Sequence, residues 1–156
     1  MIIRKAGMSD IEEILNLAYQ LRKTEAKFDK NNNIKEDACQ SDFYRKKTIK
    51  YISSRKKIFL VAENNNKVVG YINGFIEENA EIFHKKPIAY LDNLCVAKEA
   101  RRQGIGKNLI DEFNKIVKEK GAGFVKLNAF KNNIPAVKLY EQEGFEEYSV
   151  YYIKKI

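Results

Sequence analysis

Two stretches in the first third of the chain repeat their apolar residues at helical spacing. The opening residues MIIRKAG predict a strand. The first of the two stretches follows it and predicts an amphipathic helix. Its apolar face consists of Ile11, Ile14, Leu15, Ala18 and Leu21. Ser9 followed by Glu12 has the pattern of a capping box at the start of this helix. Residues 23–36 are polar and predict a loop, whereas residues 43–57 mix apolar positions with Lys and Arg and predict a basic helix.

Strand-like patterns dominate the middle of the chain. Residues 58–63 and 67–77 flank three asparagines and predict an antiparallel hairpin. Another strand is predicted over residues 88–96, although its apolar residues do not keep strict alternation. A bulge near residues 93–95 would reconcile their burial on one face.

Helices and strands alternate in the last third of the chain. One helical face is formed by Ile105, Leu109, Ile110, Phe113, Ile116 and Val117. A strand is predicted over residues 123–130, and the next helix is expected to begin after Asn133 and to stop at Gly144. The alternating residues 145–156 predict a closing strand. This order predicts a single α/β (α+β) domain, residues 1–156, with a mixed sheet covered by helices on both faces.

Composition narrows the range of ligands. The chain has 29 Lys and Arg against 21 Asp and Glu, a formal net charge of +8, which favours anionic ligands such as nucleic acid or a phosphorylated cofactor. Cys39, Cys95 and the single histidine, His84, lack metal-ligand spacing, so no metal site is expected. No apolar run approaches the roughly 20 residues of a membrane span, and no secretory signal opens the chain, so a soluble cytoplasmic protein is expected.

The segment ARRQGIGKNLI, residues 100–110, places two glycines between a predicted strand and a predicted helix. Gly104 and Gly106 let the backbone approach a ligand, and the helix amino terminus presents open N–H groups. Such a turn suits a pyrophosphate, to which Arg101, Arg102 and Lys107 add positive charge. A plain strand-to-helix connection is the alternative. The third glycine of a Rossmann fingerprint and the G-K-[ST] ending of a P-loop are both missing.

Two segments resemble the GNAT superfamily of N-acetyltransferases. LDNLCVAKEARRQGIGKNLI looks like its acetyl-CoA signature, R/Q-x-x-G-x-G/A, with matches at Arg101, Gly104 and Gly106. NNIPAVKLYEQEGF is similar to the N-x-x-A-x-x-L-Y-x-x-x-G-F segment of the same family. The matching residues there are Asn133, Ala136, Leu139, Tyr140, Gly144 and Phe145.

The resemblance implies both a fold and an activity. The fold would be GNAT-like, with a mostly antiparallel sheet of about six to seven strands, about four helices and a bulged strand. Strands at 90–96 and 124–130 would splay into a V-shaped slot for the pantetheine arm of acetyl-CoA. The activity would be direct acetyl transfer to a primary amine of a small molecule or peptide. The cofactor-binding residues implied by the resemblance are Leu94, Cys95, Val96, Arg101, Arg102, Gln103, Gly104, Ile105, Gly106, Lys107, Asn133, Ala136 and Tyr140.

Acetyl transfer requires a neutral amine, stabilisation of the developing oxyanion and a proton for the departing thiolate. By the resemblance, Tyr140 is the candidate general acid and the backbone N–H of Leu94 or a neighbour serves the thioester oxygen. Cys95 is a minor alternative as an acyl-accepting nucleophile, and His84 is expected in a solvated or acceptor-lining position.

The general base is less specified by the sequence. Asp92, in the strand that leads to the bulge, is a candidate to take a proton from the ammonium through water, with Asn93 or Asn128 to orient it. An ordinary capping carboxylate is the alternative for Asp92. Glu77 and Glu78 are further candidates for the base.

Other functions remain open at this point. Helix 43–57 presents basic residues interleaved with Tyr44 and Tyr51, so it is either a nucleic-acid-binding face or a solvated helix whose tyrosines pack inward. The same basic helix argues against a strongly cationic acceptor. A GNAT-like sensor that binds acyl-CoA without catalysis is another alternative. The tyrosine-rich end, EEYSVYYIKKI, suggests a homodimer that pairs along a sheet edge.

Overall fold

The computed structural model describes residues 1–31, 33–77, 86–154 and 156. Nine helices and strands define the fold within these ranges. The strands are β1 (Ile2–Lys5), β2 (Lys57–Asn64), β3 (Lys67–Glu77), β4 (Ile88–Val96) and β5 (Phe124–Leu127). The helices are α1 (Ile11–Ala26), α2 (Asp42–Ile52), α3 (Ile105–Glu119) and α4 (Ile134–Gln142). Short 3-10 helices occur at Met8–Asp10, Glu36–Gln40 and Lys98–Ala100.

The five strands form one sheet in the order β1-β2-β3-β4-β5. All neighbours are antiparallel except β4 and β5, which run parallel, so the predicted mixed and mostly antiparallel sheet is confirmed. The predicted hairpin is present, and Asn65 and Asn66 turn it with positive φ angles of 51° and 59°. Asparagine tolerates this left-handed conformation better than most residues, which explains the asparagine run between the strands.

The core fills both sides of the sheet. The face of α3 that the sequence predicted is buried at Ile105, Leu109, Ile110, Phe113 and Val117. Gly74 in β3 allows this helix to lie close, because a Cβ there would come within 2.6 Å of the Phe113 ring of α3. On the opposite face, the Cys95 thiol of β4 donates a hydrogen bond to the Leu17 carbonyl of α1. The predicted helical cover on both faces is therefore confirmed.

Strand β4 contains a bulge at Asp92. Asn93 pairs with Asn73 and Leu91 pairs with Gly74, which leaves Asp92 as the extra residue. The bulge thus lies one residue before the predicted position at 93–95. Its position follows from contacts around Gly74, where a Cβ would come within 2.3 Å of the Tyr90 carbonyl oxygen. A side chain has no room there, and the extra residue follows immediately.

The closing strand predicted over residues 145–156 is absent from the described part of that segment, so the sheet has five strands and not six or seven. The side chains of Tyr148 and Tyr152 are each 94% exposed. An alternating pattern becomes a strand only where a neighbouring strand accepts its hydrogen bonds, and no such neighbour is described for this segment. Pairing of this end with a second copy of the chain stays a prediction.

Two helix boundaries also differ from those predicted. The basic helix ends at Ile52, because Ser53 and Ser54 turn the chain and Lys57 already pairs with Phe75 in the sheet. At the other boundary, α1 continues to Ala26, four residues into the stretch predicted as a loop. No helix in the described ranges is both long and apolar enough to cross a membrane.

The capping box predicted for Ser9 and Glu12 is wrong. Ser9 lies within a 3-10 helix, and the buried carboxylate of Asp10 organises the turn instead. That carboxylate accepts a hydrogen bond from the Gly7 backbone N–H at 2.7 Å and two from the Arg4 guanidinium at 2.8 Å. A bidentate ion pair to β1 is a stronger constraint than a neutral serine cap, and it ties α1 to the edge of the sheet.

Replacement of this carboxylate should weaken the fold in a pH-dependent way. Arg4, and then the Gly7 N–H, hold the pKa of Asp10 below its ordinary value. The stabilisation is therefore complete above the unfolded pKa of about 4 and is lost as pH falls through the folded pKa. We expect Asp10→Asn to lower the free energy of unfolding by about 2 kcal/mol at neutral pH. Urea denaturation should show this difference shrinking as the pH is lowered toward about 2.

The exposed residue Asp37 provides the matched control. Asp37→Asn should change the free energy of unfolding little at any pH. An Asp10→Asn defect of the same size at every pH would contradict the assigned role of the carboxylate charge.

Candidate active site

A gap in the strand pairing opens between β4 and β5, the last two strands in the order of the sheet. The two strands pair only as far as Leu91 and Leu127, whereas β4 continues to Val96 along β3. Within the described residues no strand pairs with the outer edge of β4 beyond Leu91. This end of the pairing is consistent with the predicted splay of the two strands, and the segment from Asp92 to Val96 borders the opening.

The glycine turn follows this segment and leads into α3. Residues 101–104 are exposed, and two of them have positive φ angles, 63° at Arg102 and 75° at Gly104. The first helical hydrogen bond runs from the Asn108 N–H to the Gly104 carbonyl at 3.0 Å, so the amides that precede Asn108 lie at the open end of the helix. A Cβ at Gly104 would meet no atom of the chain within 4 Å, so the space beside it is open. The turn has the geometry of an anion-binding helix start.

Gly106 has a different role from Gly104. A Cβ there would lie 3.1 Å from Leu139 of α4 and 3.9 Å from Val96 of β4. The missing side chain therefore brings α3, α4 and the end of β4 together at one point.

Two of the predicted cationic residues contact the protein itself. Arg101 donates from Nε to the Val96 carbonyl at 3.0 Å. Lys107 forms ion pairs with Asp111 at 3.1 Å and with Glu143 at 3.2 Å. The Arg101 contact occupies a β4 carbonyl in the segment expected to pair with pantetheine. The ion pair of Lys107 with Glu143 links α3 to the end of α4.

Helix α4 places Tyr140 in a half-buried position against the core. Its ring packs on Phe145 at a centroid distance of 5.8 Å. Burial raises the pKa of Tyr140 to about 12, and the nearby negative charge of Glu25 adds to the effect. The hydroxyl therefore stays protonated at neutral pH. Asn133 precedes α4 as predicted, but its side chain makes no capping hydrogen bond.

The bulge turns Asp92 and Asn93 toward α1 and α2. Asp92 is exposed, whereas Asn93 donates to Asn73 at 3.1 Å and accepts a hydrogen bond from Arg22 at 2.7 Å. Asn128 donates to the Tyr90 hydroxyl at 2.7 Å. The hydrogen bonds of Asn93 and Asn128 thus run to groups other than Asp92, which does not match the orienting role expected of them.

The remaining candidates differ in their surroundings. Cys95 is 2% exposed, and burial raises the pKa of its thiol to about 12, so it is poorly suited to nucleophilic attack. Glu77 forms an ion pair with Lys126 at 2.6 Å, at the end of β3 that pairs with the start of β4. Glu78 and His84 lie outside the described residues.

Sequence reasoning missed an ion pair on the last turns of α1. Arg22 bonds to Glu25, which follows it by three residues. Burial raises the pKa of Glu25, and the negative charge of Asp92 adds to this while Arg22 opposes it. Glu25 therefore lies in electrostatic contact with both Asp92 and Tyr140. The i,i+3 spacing of Arg22 and Glu25 was the available signal, but the polar stretch around Glu25 had been interpreted as a loop.

Comparison with solved structures supports this architecture. A mutant of the BH1408 protein from Bacillus halodurans superimposes with a TM-score of 0.89 at 19% identity, over 100% of this chain and 99% of that one. The aminoglycoside N-acetyltransferase AAC(6')-Iy, solved in complex with CoA, has a TM-score of 0.75 at 18% identity, over 99% and 95% of the two chains. At these identities the likeness establishes the fold.

Relatives found by sequence are also acetyltransferases. Human N-acetyltransferase 8 is 32% identical over 100 residues, which cover 64% of this chain and 43% of the relative. Across six of the curated relatives it matches, the chain spans between 20% and 64% of the relative's length. A model described as the Acetyltransferase (GNAT) family matches residues 10–145, and the chain therefore belongs to the GNAT acetyltransferase family.

Proposed function

We propose that the protein is an N-acetyltransferase that moves an acetyl group from acetyl-CoA directly to a primary amine. One observation carries this proposal: the open edge of β4, the glycine turn and α4 converge around Gly106, which lies between Val96 and Leu139. A turn suited to an anion is thus held beside the strand edge that no other strand covers and beside α4, which carries Tyr140. Family membership supports the same reaction class.

The residues around the opening fit acetyl-CoA. The amides of residues 102–107, at the open start of α3, are suited to the pyrophosphate, and the space beside Gly104 lets that group approach the backbone. The segment Leu94–Val96 offers an edge to the pantetheine arm, in the manner of an added strand. Asn133 and Ala136 at the start of α4 border the same opening in this proposal. Acetyl-CoA supplies an activated acetyl thioester.

The chain's own groups carry the protons and the charge. The backbone N–H of Leu94 or a neighbour stabilises the negative charge that develops on the thioester oxygen. The amine nitrogen forms a bond to the acetyl carbon as the carbon–sulfur bond breaks, and the Tyr140 hydroxyl gives its proton to the departing thiolate. The proton lost by the amine returns to Tyr140 through water.

The acceptor reaches the site as an ammonium ion and must first lose a proton. Asp92 is the proposed proton acceptor because its exposed carboxylate lies at the bulge. Glu25 is a second proposed acceptor, since burial raises its pKa and so strengthens it as a base. Both groups would act through water.

Nucleic-acid binding receives less support from the structure. Tyr51 is 6% exposed and packs inward, and Arg45 of the same helix forms a two-point ion pair with Glu12 at 2.6 and 2.7 Å. The basic helix also ends at Ile52. These features are those of a solvated amphipathic helix.

Gly104→Ala should weaken binding of acetyl-CoA. Alanine in a left-handed conformation costs about 1–2 kcal/mol, so the turn relaxes away from the geometry that receives the pyrophosphate. We expect the dissociation constant from calorimetric titration to rise about tenfold.

Gly121→Ala is a closely matched control, because Gly121 has a φ of 88° and also has open space beside it, but ends α3 at the far side from the turn. Both variants should lose about 1 kcal/mol of stability, and only Gly104→Ala should lose affinity. Equal affinities in the two variants would refute the role of the turn.

Tyr140→Phe should lower kcat about 100-fold and leave the affinity for acetyl-CoA nearly unchanged, since it removes the proton donor and keeps the ring. Because the pKa of Tyr140 is about 12, wild-type activity should show no loss from ionisation of this group below about pH 10. Release of free thiol measures kcat and its dependence on pH. Tyr148→Phe, at an exposed position, is the control. Full turnover by Tyr140→Phe would remove this residue from the mechanism.

A further inference from the structure

The side chain of Arg22 lies at the centre of a chain of polar groups that runs from β3 to α1. Its guanidinium donates from one Nη to the Asn93 side-chain oxygen at 2.7 Å and from the other to the Glu25 carboxylate. Asn93 in turn donates from Nδ2 to the Asn73 side-chain oxygen at 3.1 Å. A guanidinium has donors only, so the Asn93 oxygen must face Arg22 and its NH2 group must face Asn73. Both ends of this amide are therefore fixed by their partners.

These hydrogen bonds hold the Asn93 side chain where packing leaves it room to move. Arg22, Asn73 and Asn93 line a cavity of about 90 Å³ between α1, α2 and the sheet, so there is space beside them. Arg22 is itself half-buried, with 27% of its side chain exposed. The ion pair with Glu25 holds the guanidinium in place from its own helix. The position of the Asn93 side chain therefore depends on Arg22.

Asn93 is the first residue after the bulge in β4, so its orientation reports the register of the strand that follows. Asp92 is the extra residue, and Asn93 pairs with Asn73 of β3. If the bulge moved by one residue, the side chain at position 93 would point to the other face of the sheet, away from α1. The contact with Arg22 exists only in the observed register. It therefore stabilises that register over one shifted by a residue.

The segment after the bulge needs such a contact because it has a neighbouring strand on one side only. Within the described ranges, β5 pairs with β4 no further than Leu91, and β3 alone accompanies β4 beyond that residue. Fewer backbone hydrogen bonds hold a strand with one neighbour, so its side-chain contacts matter more. At the end of the segment, Arg101 donates to the Val96 carbonyl at 3.0 Å. Arg22 holds the start of the segment through Asn93.

We propose that Arg22 is a positioning residue for acetyl transfer: by holding Asn93 in this register, it aims the backbone N–H of Leu94 or a neighbour at the thioester oxygen of acetyl-CoA. Arg22 takes part in no bond that forms or breaks. The N–H must be in place before charge develops on the oxygen, and a displacement of about 1 Å can cost about 100-fold in rate. This inference rests on the proposed acetyl transfer.

Infrared spectroscopy of bound acetyl-CoA tests the inference without an acceptor amine. The acetyl carbonyl carbon is isotope-labelled, so that its stretching band can be separated from the bands of the protein. A hydrogen bond to the thioester oxygen lowers the frequency of this band. The shift is measured from the band of S-ethyl thioacetate in hexane, where no hydrogen bond forms. We expect Arg22→Gln to lose about a third or more of the shift that the wild-type protein produces, because the N–H is no longer held in line with the oxygen.

Further variants assign the effect to the contact between Arg22 and Asn93. Asn93→Ala should lose a similar part of the shift, and the double variant should lose no more than either single variant, because both changes remove the same contact. Arg22→Lys should also lose it, because a single ammonium lacks the planar fork that reaches Asn93 and Glu25 together.

Arg45→Gln is the matched control. It breaks another arginine–glutamate ion pair, which joins α2 to Glu12 of α1, and it should leave the shift unchanged. CoA, which lacks the acetyl group, is titrated by calorimetry into every variant as a check of folding. Its dissociation constant should stay within about twofold of the wild-type value, because Arg22 contacts the start of the β4 segment and the glycine turn follows the end of it.

The role of Arg22 is overturned if Arg22→Gln and Asn93→Ala keep the wild-type shift, if their losses add in the double variant, or if Arg22→Lys restores the shift in full. It is also overturned if Arg45→Gln loses as much, if both single variants lose CoA binding as well, or if the wild-type protein binds acetyl-CoA without a shift. In each of these cases, binding of acetyl-CoA to the wild-type protein would leave donor binding in the proposed function standing. Absence of acetyl-CoA binding would instead remove the proposed function, and the inference with it.

Discussion

The close approach of β4 to β3 at Gly74 determines the geometry of the candidate active site. Strand β4 lies so near this glycine that the Tyr90 carbonyl and the Phe113 ring occupy the space where a side chain would be. The extra residue Asp92 comes next, so every later side chain in the strand points to the opposite face of the sheet from the one it would occupy in an unbroken strand. Before the bulge, Leu91 shares the α3 face with Gly74; after it, Cys95 faces α1.

The same displacement has two consequences, one on the face of the sheet toward α1 and α2 and one at the edge of β4 toward β5. Toward α1 and α2, it presents the consecutive residues Asp92 and Asn93 to a single cavity, which an unbroken strand would divide between two faces. Toward β5, it coincides with the end of strand pairing, so the backbone of the segment up to Val96 borders a gap.

The parts of this arrangement that depend on local sequence were predictable. The α3 face follows from its 3.6-residue period, the hairpin follows from its asparagines, and the glycine turn and Tyr140 follow from motif residues in order. Features that depend on contacts between residues distant in the sequence were not predictable. The position of the bulge depends on Gly74 and Phe113, and the start of α1 depends on Arg4 in another element. The closing strand was predicted from its alternation alone, which says nothing about whether a neighbouring strand exists.

The buried thiol of Cys95 has a practical consequence for work on this protein. Its pKa is raised to about 12 and its hydrogen is donated to the Leu17 carbonyl, so it has almost no thiolate character in the folded state. Reagents that detect sulfhydryl groups, and oxidants that attack them, act on thiolate. Colorimetric detection of a released thiol should therefore have little background from this cysteine, and the chain can be handled in air without a modification arising at this position of β4.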